Sequence, residues 1–282
     1  MGSNHVGSEM DSEPLSLWFA YPEELLNDAT AEAWASILSE EERASWKSFR
    51  FERHRREYLT TRALARTALS QYHPLAPEAW CFQSNAHGKP TTNPNCGLQF
   101  NLSNSPALVV CLIARETAVG VDAEPYDRAE KIGEVASLVF STEELAKLET
   151  LRGHERLDRA LSLWTLKEAY IKARGTGMSS SMKGVSFVFG GTEGIRLNLD
   201  PSLGDEAQRW RFCLLEHAGH RIALMVERVA DFQLQKFEMR SLKAPAKRLP
   251  GGAEQWYPKQ PEGCTRGQEA NETPDDLRSP SR

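Results

Sequence analysis

Hydrophobic and polar residues alternate with a period of two in many short segments of the chain, which is typical of half-buried β-strands. The predicted strands cover residues 15–19, 80–82, 98–102, 107–114, 118–124, 184–189, 196–199, 209–217, 220–228 and 232–239. None of these segments exceeds the length of an ordinary strand, and turn-forming residues separate them. The pattern therefore predicts a protein with a large content of β-structure.

Helical signals lie between the groups of strands. A serine three residues before a glutamate forms a capping box, which marks the start of a helix. Two such pairs occur, Ser39 with Glu42 and Ser141 with Glu144. Helical periodicity also covers residues 52–72 and a stretch of about 20 residues from Glu155, and Gly175 is well placed to end the second of these in a left-handed turn.

The order helix, strands, helix, strands predicts an α+β fold made of two halves of about 110 residues each. We expect residues 15–117 to form the N-terminal half and residues 118–243 the C-terminal half. Residues 1–14 are polar and without period, and we expect a flexible leader there. Residues 244–282 are rich in Pro, Gly and charged residues with few aliphatic ones, which predicts a disordered tail.

Composition and charge narrow the class of protein. The chain has 282 residues, 40% of them hydrophobic, and a formal net charge of -5, which argues against a general nucleic-acid binder. No apolar run approaches the roughly 18 to 20 residues of a membrane helix, and no secretory signal is evident, so we expect a cytoplasmic protein. The five cysteines are widely spaced and do not form a zinc or redox motif.

Two carboxylates share one face of the predicted strand at residues 118–124. Alternation sends Asp122 and Glu124 to the same side, about 6.6 Å apart along the strand. The simplest alternative is the solvated edge of a sheet. For this pair alone the sequence does not decide between that edge and a functional site.

A second pair of charges lies on the helix that begins near Glu155. Its apolar stripe, continued at helical spacing, reaches Glu168 and Lys172, so we expect these charges to interrupt a buried stripe. An unpaired buried charge is costly, and each would need a metal, a phosphate or the other as partner. The alternative is an ordinary ion pair on a solvated face, which contributes only about 0.2 to 0.5 kcal/mol.

Asp122, Glu124 and Glu168 together would offer an all-oxygen site without His or Cys. Such a site suits Mg²⁺ better than Zn²⁺. Magnesium commonly takes a substrate phosphate as a further ligand, and a nearby Lys172 would be a natural phosphate partner.

Three upstream segments have weaker signals. Between Lys47 and Arg66 the chain is strongly basic, which is also consistent with a solvated surface. The Gly88-Lys89-Pro90 segment predicts a turn that presents one lysine. Residues 101–106 end a strand in small hydroxyl and amide side chains, which can line a phosphate or base site.

Taken together and in this order, these segments resemble the 4′-phosphopantetheinyl transferases of the larger, surfactin-synthetase-activating type. The resemblance spans about Leu15 to Glu227, and its most specific part is the Gly-Val-Asp-Ala-Glu segment followed by the Trp-x-x-Lys-Glu-x-x-x-Lys segment. The matching segments are Phe51-Glu52-Arg53-His54, Gly88-Lys89-Pro90, Phe100-Asn101-Leu102-Ser103-Asn104-Ser105, Gly120-Val121-Asp122-Ala123-Glu124, Phe140-Ser141-Thr142-Glu143-Glu144 and Trp164-Thr165-Leu166-Lys167-Glu168-Ala169-Tyr170-Ile171-Lys172.

The resemblance implies two similar α+β halves that form a pseudo-twofold monomer, with coenzyme A in the cleft between them. It implies Mg²⁺ ligands at Asp122, Glu124 and Glu168, and catalytic roles for Asp122, Glu168 and Lys172, with Glu168 also helping to deprotonate the acceptor serine. The coenzyme-binding residues that it implies are Arg53, Lys89, Pro90, Asn101, Ser103, Asn104, Asp122, Lys167, Glu168 and Lys172.

One position departs from the family pattern. Relatives usually have a histidine after the serine of the Phe-Asn-Leu-Ser segment, where it contacts the 3′-phosphate of coenzyme A, and this chain has Asn104. Asparagine can donate a hydrogen bond but has no charge. We therefore expect weaker recognition of the 3′-phosphate.

The expected reaction transfers the 4′-phosphopantetheine arm of coenzyme A to a serine of an apo acyl, peptidyl or aryl carrier protein. Adenosine 3′,5′-bisphosphate would be released. No nucleic acid or membrane is expected as a partner. Two other hypotheses are a non-catalytic binder of coenzyme A or carrier protein, and a different Mg²⁺ enzyme such as a phosphohydrolase.

Overall fold

A computed structural model describes residues 15–24, 28–177, 182–190, 194–227, 232–242, 245–252 and 254–258. The helices are α1 (Asp28–Ala35), α2 (Glu40–Ser48), α3 (Glu52–Leu69), α4 (Ala129–Val139), α5 (Thr142–Thr150) and α6 (Gly153–Arg174). The strands are β1 (Leu15–Ala20), β2 (Cys81–Ser84), β3 (Pro90–Asn93), β4 (Leu98–Asn104), β5 (Val109–Arg115), β6 (Val119–Pro125), β7 (Val185–Gly190), β8 (Gly194–Leu199), β9 (Trp210–His217), β10 (His220–Glu227), β11 (Leu234–Glu238), β12 (Lys247–Arg248) and β13 (Trp256–Tyr257).

Local sequence determines several helix ends. Both predicted capping boxes are present, at the starts of α2 and α5, where the serine hydroxyl accepts from the backbone N–H of Glu42 and of Glu144. Helix α6 ends at Gly175, whose φ of 66° lies in the left-handed region that glycine adopts without strain.

Two sheets form the centre of the molecule. One has the strand order β12-β11-β1-β5-β4 and the other β13-β9-β10-β6. Within them only β1 and β11 pair in parallel. Helix α3 packs on β1, β4 and β5, whereas α6 packs on β6 and β10, so each half is a long helix on a mainly antiparallel sheet. The predicted α+β fold of two similar halves is confirmed.

The inner faces of the two sheets share a hydrophobic core. It joins Leu17 and Val110 of the first sheet to Val121, Ile222 and their neighbours in the second. Separate cores lie between each sheet and its helices. The two halves are therefore fixed against each other by buried apolar surface, the main driving force for such packing.

Edge strands β4 and β6 meet where the sheets adjoin. The side-chain oxygen of Asn101 accepts from the backbone N–H of Val121 at 2.9 Å, and Ser103 Oγ accepts from that of Ala123 at 3.1 Å. Residues two apart on a strand point to the same side, so Asn101 and Ser103 act together. Their side chains join β4 to β6 by hydrogen bonds in place of backbone pairing between the two sheets, and this places β4 beside Asp122.

The chain after β10 returns to both halves. Strand β11 pairs with β1 in the first sheet, β12 pairs with β11, and β13 pairs with β9 of the second sheet. The prediction of a disordered tail from residue 244 is therefore wrong for residues 247–248 and 256–257. A few aromatic residues supply the apolar contacts that the overall composition of this segment did not indicate. Residues 1–14 and 259–282, predicted to be leader and tail, lie outside the described part of the chain.

The predicted division at residues 117 and 243 stays a prediction, although β11 joins the N-terminal sheet. In the described part of the chain no helix has both the length and the apolar composition that a membrane crossing requires.

Candidate functional site

A glycine lets α6 lie directly against β6. A Cβ atom placed on Gly120 would stand 2.0 Å from the carbonyl oxygen of Ala169 and 2.4 Å from the backbone nitrogen of Ala173. Both contacts are with backbone, which cannot move aside without shifting the helix. Only glycine permits this approach, and the approach brings the charges of α6 within reach of the acids of β6.

Asp122 is the centre of the site. It is only 4% exposed, and its Oδ1 atom accepts from Lys172 Nζ at 2.7 Å and from Ser103 Oγ at 3.0 Å. Lys172 Nζ also lies 3.3 Å from Ser103 Oγ. Residues of β4, β6 and α6 thus meet at one carboxylate oxygen, at the junction of the two halves.

The second oxygen of Asp122 has no hydrogen-bond partner among the described residues. Oδ2 is buried and makes no hydrogen bond within the described part of the chain. A buried carboxylate oxygen without a partner is costly, and in native proteins such an atom calls for an unseen ligand or ion. This atom is the strongest local indication that something binds here.

Both carboxylate oxygens of Glu124 have a partner, unlike those of Asp122. Arg128 Nη1 lies 2.7 Å from both Oε1 and Oε2, and Trp164 Nε1 donates to Oε1 at 3.0 Å. Burial and the charge of Asp122 raise the pKa of Glu124, while Arg128 acts in the opposite direction. Glu124 therefore already has a cation at its carboxylate.

Glu168 lies between these two acids. Trp164, Glu168 and Lys172 are four residues apart on α6, and the first contacts Glu124 while the last contacts Asp122. Burial, followed by the charge of Asp122, raises the pKa of Glu168 to about 7. Within the described residues Glu168 makes no hydrogen bond or ion pair.

The position of Glu168 and Lys172 on the helix differs from the prediction. Most of the circumference of α6 is buried, and Trp164, Glu168 and Lys172 form its partly open strip. These charges therefore lie on a partly exposed strip instead of interrupting a buried apolar stripe. From Ala160 onward the helix is buried on most sides because α4, α5, β6, β7 and β10 surround it.

The three acids fit a hard cation in their chemistry. All possible ligand atoms are carboxylate oxygens, one of them is buried without a partner among the described residues, and burial together with the charge of Asp122 raises the pKa of Glu124 and Glu168. Among the described residues, however, no three acidic, His or Cys side chains already enclose a metal position. Because Glu124 is paired with Arg128, Asp122 and Glu168 are the two of these three acids that have a carboxylate oxygen without a partner among the described residues.

Lys167 was expected to bind coenzyme A, and this prediction is wrong. Its side chain is 0% exposed, and Nζ lies 2.6 Å from Glu144 Oε2. The ammonium group also donates to the carbonyls of Val139, Met182 and Val185. Every N–H is used inside the core of the C-terminal half, because the side chain leaves α6 about 100° away from that of Glu168.

Lys89 and Pro90 lie at the β2–β3 hairpin, which contacts the C-terminal half. Lys89 Nζ donates to the carbonyls of Val119 at 3.0 Å and Ala173 at 2.7 Å. Burial lowers the pKa of Lys89 to about 8. Pro90 begins β3. Two of the three ammonium N–H groups thus hold the hairpin to α6 and β6.

The remaining predicted coenzyme residues lie in the N-terminal half. Arg53 is exposed on α3, with its guanidinium carbon 5.7 Å from the centre of the Phe51 ring. Asn104 is exposed at the end of β4, and its Nδ2 donates to Glu57 Oε1. Asn101 is buried at the joint between β4 and β6.

Sequence reasoning missed three residues of this site: Gly120, Arg128 and Trp164. For Arg128 and Trp164, spacing in the sequence is the signal that could have identified them. Arg128 follows Glu124 by four residues and Trp164 precedes Glu168 by four, which places them beside these acids in helical or turn geometry. Gly120 could be found only from the close approach of two backbones.

Two family models match consecutive parts of the chain. The family model described as the 4′-phosphopantetheinyl transferase superfamily matches residues 118–225, and one described as 4′-phosphopantetheinyl transferase, N-terminal, matches residues 27–117. Between them they cover residues 27–225 of the 282-residue chain.

Two curated relatives are similar in sequence. The 4′-phosphopantetheinyl transferase HetI of Nostoc sp. is 29% identical over 197 residues, which is 68% of this chain and 81% of HetI. The 4′-phosphopantetheinyl transferase Sfp of Bacillus subtilis is 26% identical over 166 residues, 58% of this chain and 72% of Sfp.

A solved structure, the holo-(acyl-carrier-protein) synthase of Bacillus anthracis in complex with CoA (3′,5′-ADP), aligns with a TM-score of 0.34 and 18% identity. The alignment covers 40% of this chain and 98% of that one. From the family models, which adjoin and meet at the junction of the two halves, the chain belongs to the 4′-phosphopantetheinyl transferase superfamily.

Proposed function

We propose that this protein transfers the 4′-phosphopantetheine arm of coenzyme A to a serine hydroxyl of an apo carrier protein. The observation that carries the proposal is the meeting of Ser103, Asp122 and Lys172 at the junction of the halves, with Glu168 beside them. In the reaction the serine oxygen forms a bond to the β-phosphorus of coenzyme A. The bond from that phosphorus to the bridging oxygen breaks, and adenosine 3′,5′-bisphosphate leaves.

The residues of the chain have separate roles in this proposal. Lys172 holds a positive charge next to Asp122, where its ammonium group can bind the diphosphate and stabilise the departing phosphate oxygen. Ser103 orients Asp122 by donating to its Oδ1. Glu168 has a carboxylate without a partner among the described residues, and it accepts the proton of the attacking serine.

Magnesium would be held by Asp122 and Glu168, with Glu124 as a third ligand or a holder of metal-bound water. When bound, it supplies positive charge that stabilises the phosphate oxygens during transfer. The buried Oδ2 of Asp122, which has no hydrogen-bond partner in the part of the chain that the structure describes, supports this role.

The proposal is tested by weighing the carrier. The protein is mixed with coenzyme A, Mg²⁺ and a panel of apo acyl, peptidyl and aryl carrier domains, and each carrier is analysed by intact mass. We expect at least one carrier to gain the mass of one phosphopantetheine arm. A panel left unmodified, with coenzyme A bound but intact, would favour the non-catalytic binder.

A phosphohydrolase would give a different result. It would cleave coenzyme A in the absence of any carrier, and chromatography of the nucleotide products would detect this cleavage. The cytoplasmic location, the monomeric state and the identity of the carrier stay predictions.

A further inference from the structure

Arg128 lies in a short turn between β6 and α4 and contacts the acid cluster from the solvent side. It belongs to the 3₁₀ turn Tyr126–Arg128 and is 47% exposed, whereas Glu124 is buried. A single nitrogen, Nη1, lies 2.7 Å from both oxygens of Glu124. The guanidinium therefore occupies the side of the carboxylate on which a cation would bind.

Asp122 and Glu124, the two acids of β6, differ in how many of their carboxylate oxygens have a hydrogen-bond partner in the described chain. Asp122 has Lys172 on one oxygen only and keeps Oδ2 without a hydrogen bond in the described chain. Glu124 has Arg128 on both oxygens and Trp164 on one of them. A divalent cation can therefore bind Oδ2 of Asp122 without displacing a hydrogen-bond partner in the described chain, but it can bind Glu124 only if Arg128 moves away.

We propose that Arg128 is the counterion of Glu124 in the metal-free site and competes with the divalent cation for this carboxylate. The inference rests on the proposed function only in assuming that a divalent cation binds at the three acids. Arg128 is a positioning residue here, because it acts through Glu124. Its partial exposure gives it room to move away, while the indole of Trp164 keeps Glu124 in place.

The charges explain why such a counterion is needed. Three carboxylates lie close together, and Lys172 balances only one of them directly. The charge of Arg128 acts on Glu168 as well as on Glu124, and it offsets part of the increase in pKa that burial and Asp122 cause at both groups. Without metal, Arg128 thus limits repulsion within the cluster; with metal, the same charge opposes binding.

Metal affinity measured without coenzyme or carrier tests the proposal. Mn²⁺ is titrated into the metal-free protein, and free Mn²⁺ is counted by electron paramagnetic resonance. Arg128→Gln should bind Mn²⁺ more tightly than the wild type, by on the order of tenfold, since a positive charge in contact with a ligand is removed. Arg128→Lys keeps the charge and should stay within about threefold of the wild type.

A second arginine provides the matched control. Arg221 lies opposite Glu124 in the pairing of β10 with β6, but its side chain pairs with Asp158 and Glu216. Arg221→Gln should change Mn²⁺ affinity by less than about twofold, because its charge is already balanced by other acids. An equal gain in both arginine variants would mean that general charge, and not competition for Glu124, is responsible.

A double variant separates the direct contact from charge at a distance. In a Glu124→Gln background, Arg128→Gln should increase Mn²⁺ affinity by only about two- to threefold, because the direct competition for Glu124 is gone and only the charge at a distance remains. The proposal is overturned if the full gain persists in this background, if Arg128→Gln binds Mn²⁺ no more tightly than the wild type, or if no variant binds Mn²⁺.

Thermal unfolding adds a readout that a purely structural arginine would not give. Arg128→Gln should melt at a lower temperature than the wild type without metal, and saturating Mn²⁺ should remove most of the difference. If the variant is unfolded without metal, recovery of cooperative melting on adding Mn²⁺ supports the proposal, and no recovery overturns it. These measurements do not involve transfer, so a failure of the proposed function would be seen separately in the carrier assay.

Discussion

At the scale of single residues, Asn104 shows how one substitution changes a binding surface. Its amide donates to Glu57, so an acid lies beside the position where the family usually has a histidine. An uncharged amide bound to a carboxylate is a poor partner for a phosphate. This arrangement supports the expectation that the protein recognises the 3′-phosphate of coenzyme A weakly.

Asn104→His tests that expectation. We expect the variant to bind coenzyme A more tightly, by about 1 kcal/mol, and to bind dephospho-coenzyme A unchanged, because charge-assisted hydrogen bonds are roughly twice as strong as neutral ones. The gain should be larger at slightly acid pH, where imidazole is protonated. Calorimetry with both ligands measures it. Equal gains for both would show that residue 104 does not face the 3′-phosphate.

Lys89 gives a prediction about pH. Its pKa is about 8 in the folded protein against an ordinary value of 10.5, so between these values the unfolded chain binds more protons than the folded one. The free energy of unfolding contributed by Lys89 therefore increases as the pH rises from 8 to 10.5, by about 1 to 2 kcal/mol given its partial exposure.

Chemical denaturation of the wild type and of Lys89→Met, carried out at several pH values, measures this contribution to the free energy of unfolding. Lys89→Met should be less stable at pH 8, because the carbonyls of Val119 and Ala173 lose their donor. The difference should widen toward pH 10. A difference that stays constant or narrows with rising pH would contradict the burial of this ammonium group.

At the scale of elements, β6 and α6 show what could be predicted from sequence. Alternation correctly placed Asp122 and Glu124 on one face of a strand, and the ending of α6 at Gly175 was also confirmed. These are local patterns, because neighbouring residues alone determine the period of the strand and the conformation at the helix end. Local patterns could not predict which side of α6 is partly exposed, because this depends on the elements that surround the helix.

Lys167 illustrates the same limit. It adjoins Glu168 in the sequence, and the resemblance therefore gave both residues a role at the coenzyme. On a helix, neighbours in sequence point about 100° apart, so Lys167 reaches the core while Glu168 lies on the partly exposed strip. Only the positions of Glu144 and of three backbone carbonyls reveal its partners.

Lys167→Met tests this assignment. Removing one partner of a buried ion pair leaves Glu144 uncompensated, and we expect the free energy of unfolding to fall by about 3 to 5 kcal/mol. Lys167→Met combined with Glu144→Gln should recover a large part of this loss. Coenzyme affinity, measured at a temperature where both variants are folded, should not change. A stable variant with weakened coenzyme binding would restore the original prediction.

At the scale of the whole molecule, the segment after β10 connects the two halves a second time. Strand β11 joins the first sheet, and β13 returns to the second, where Tyr257 packs on Phe212 with ring centres 5.7 Å apart. A Cβ atom on Gly194 would lie 2.1 Å from Tyr257 Cε1, so the fit is close. Composition alone predicted disorder here because it averages over a few well-placed aromatic residues.

Two truncations test this connection. A chain ended after Pro258 should keep the stability and activity of the full chain. A chain ended after Leu242 loses β12 and β13, and we expect it to lose at least about 2 kcal/mol of stability, because Trp256 and Tyr257 no longer bury their rings. Thermal unfolding compares the two. Equal melting temperatures would show that β13 does not hold the halves together.

In the proposed function, the acids and the lysine at the junction of the halves transfer the phosphopantetheine arm. The most direct test is the intact mass of one apo carrier after incubation with coenzyme A, Mg²⁺ and either wild type, Glu168→Gln or the exposed-acid control Asp127→Asn. Wild type and Asp127→Asn should modify the carrier at similar rates, with the added mass on its serine, while folded Glu168→Gln should be slower by about 100-fold or more. Transfer by Glu168→Gln at the wild-type rate would contradict the account.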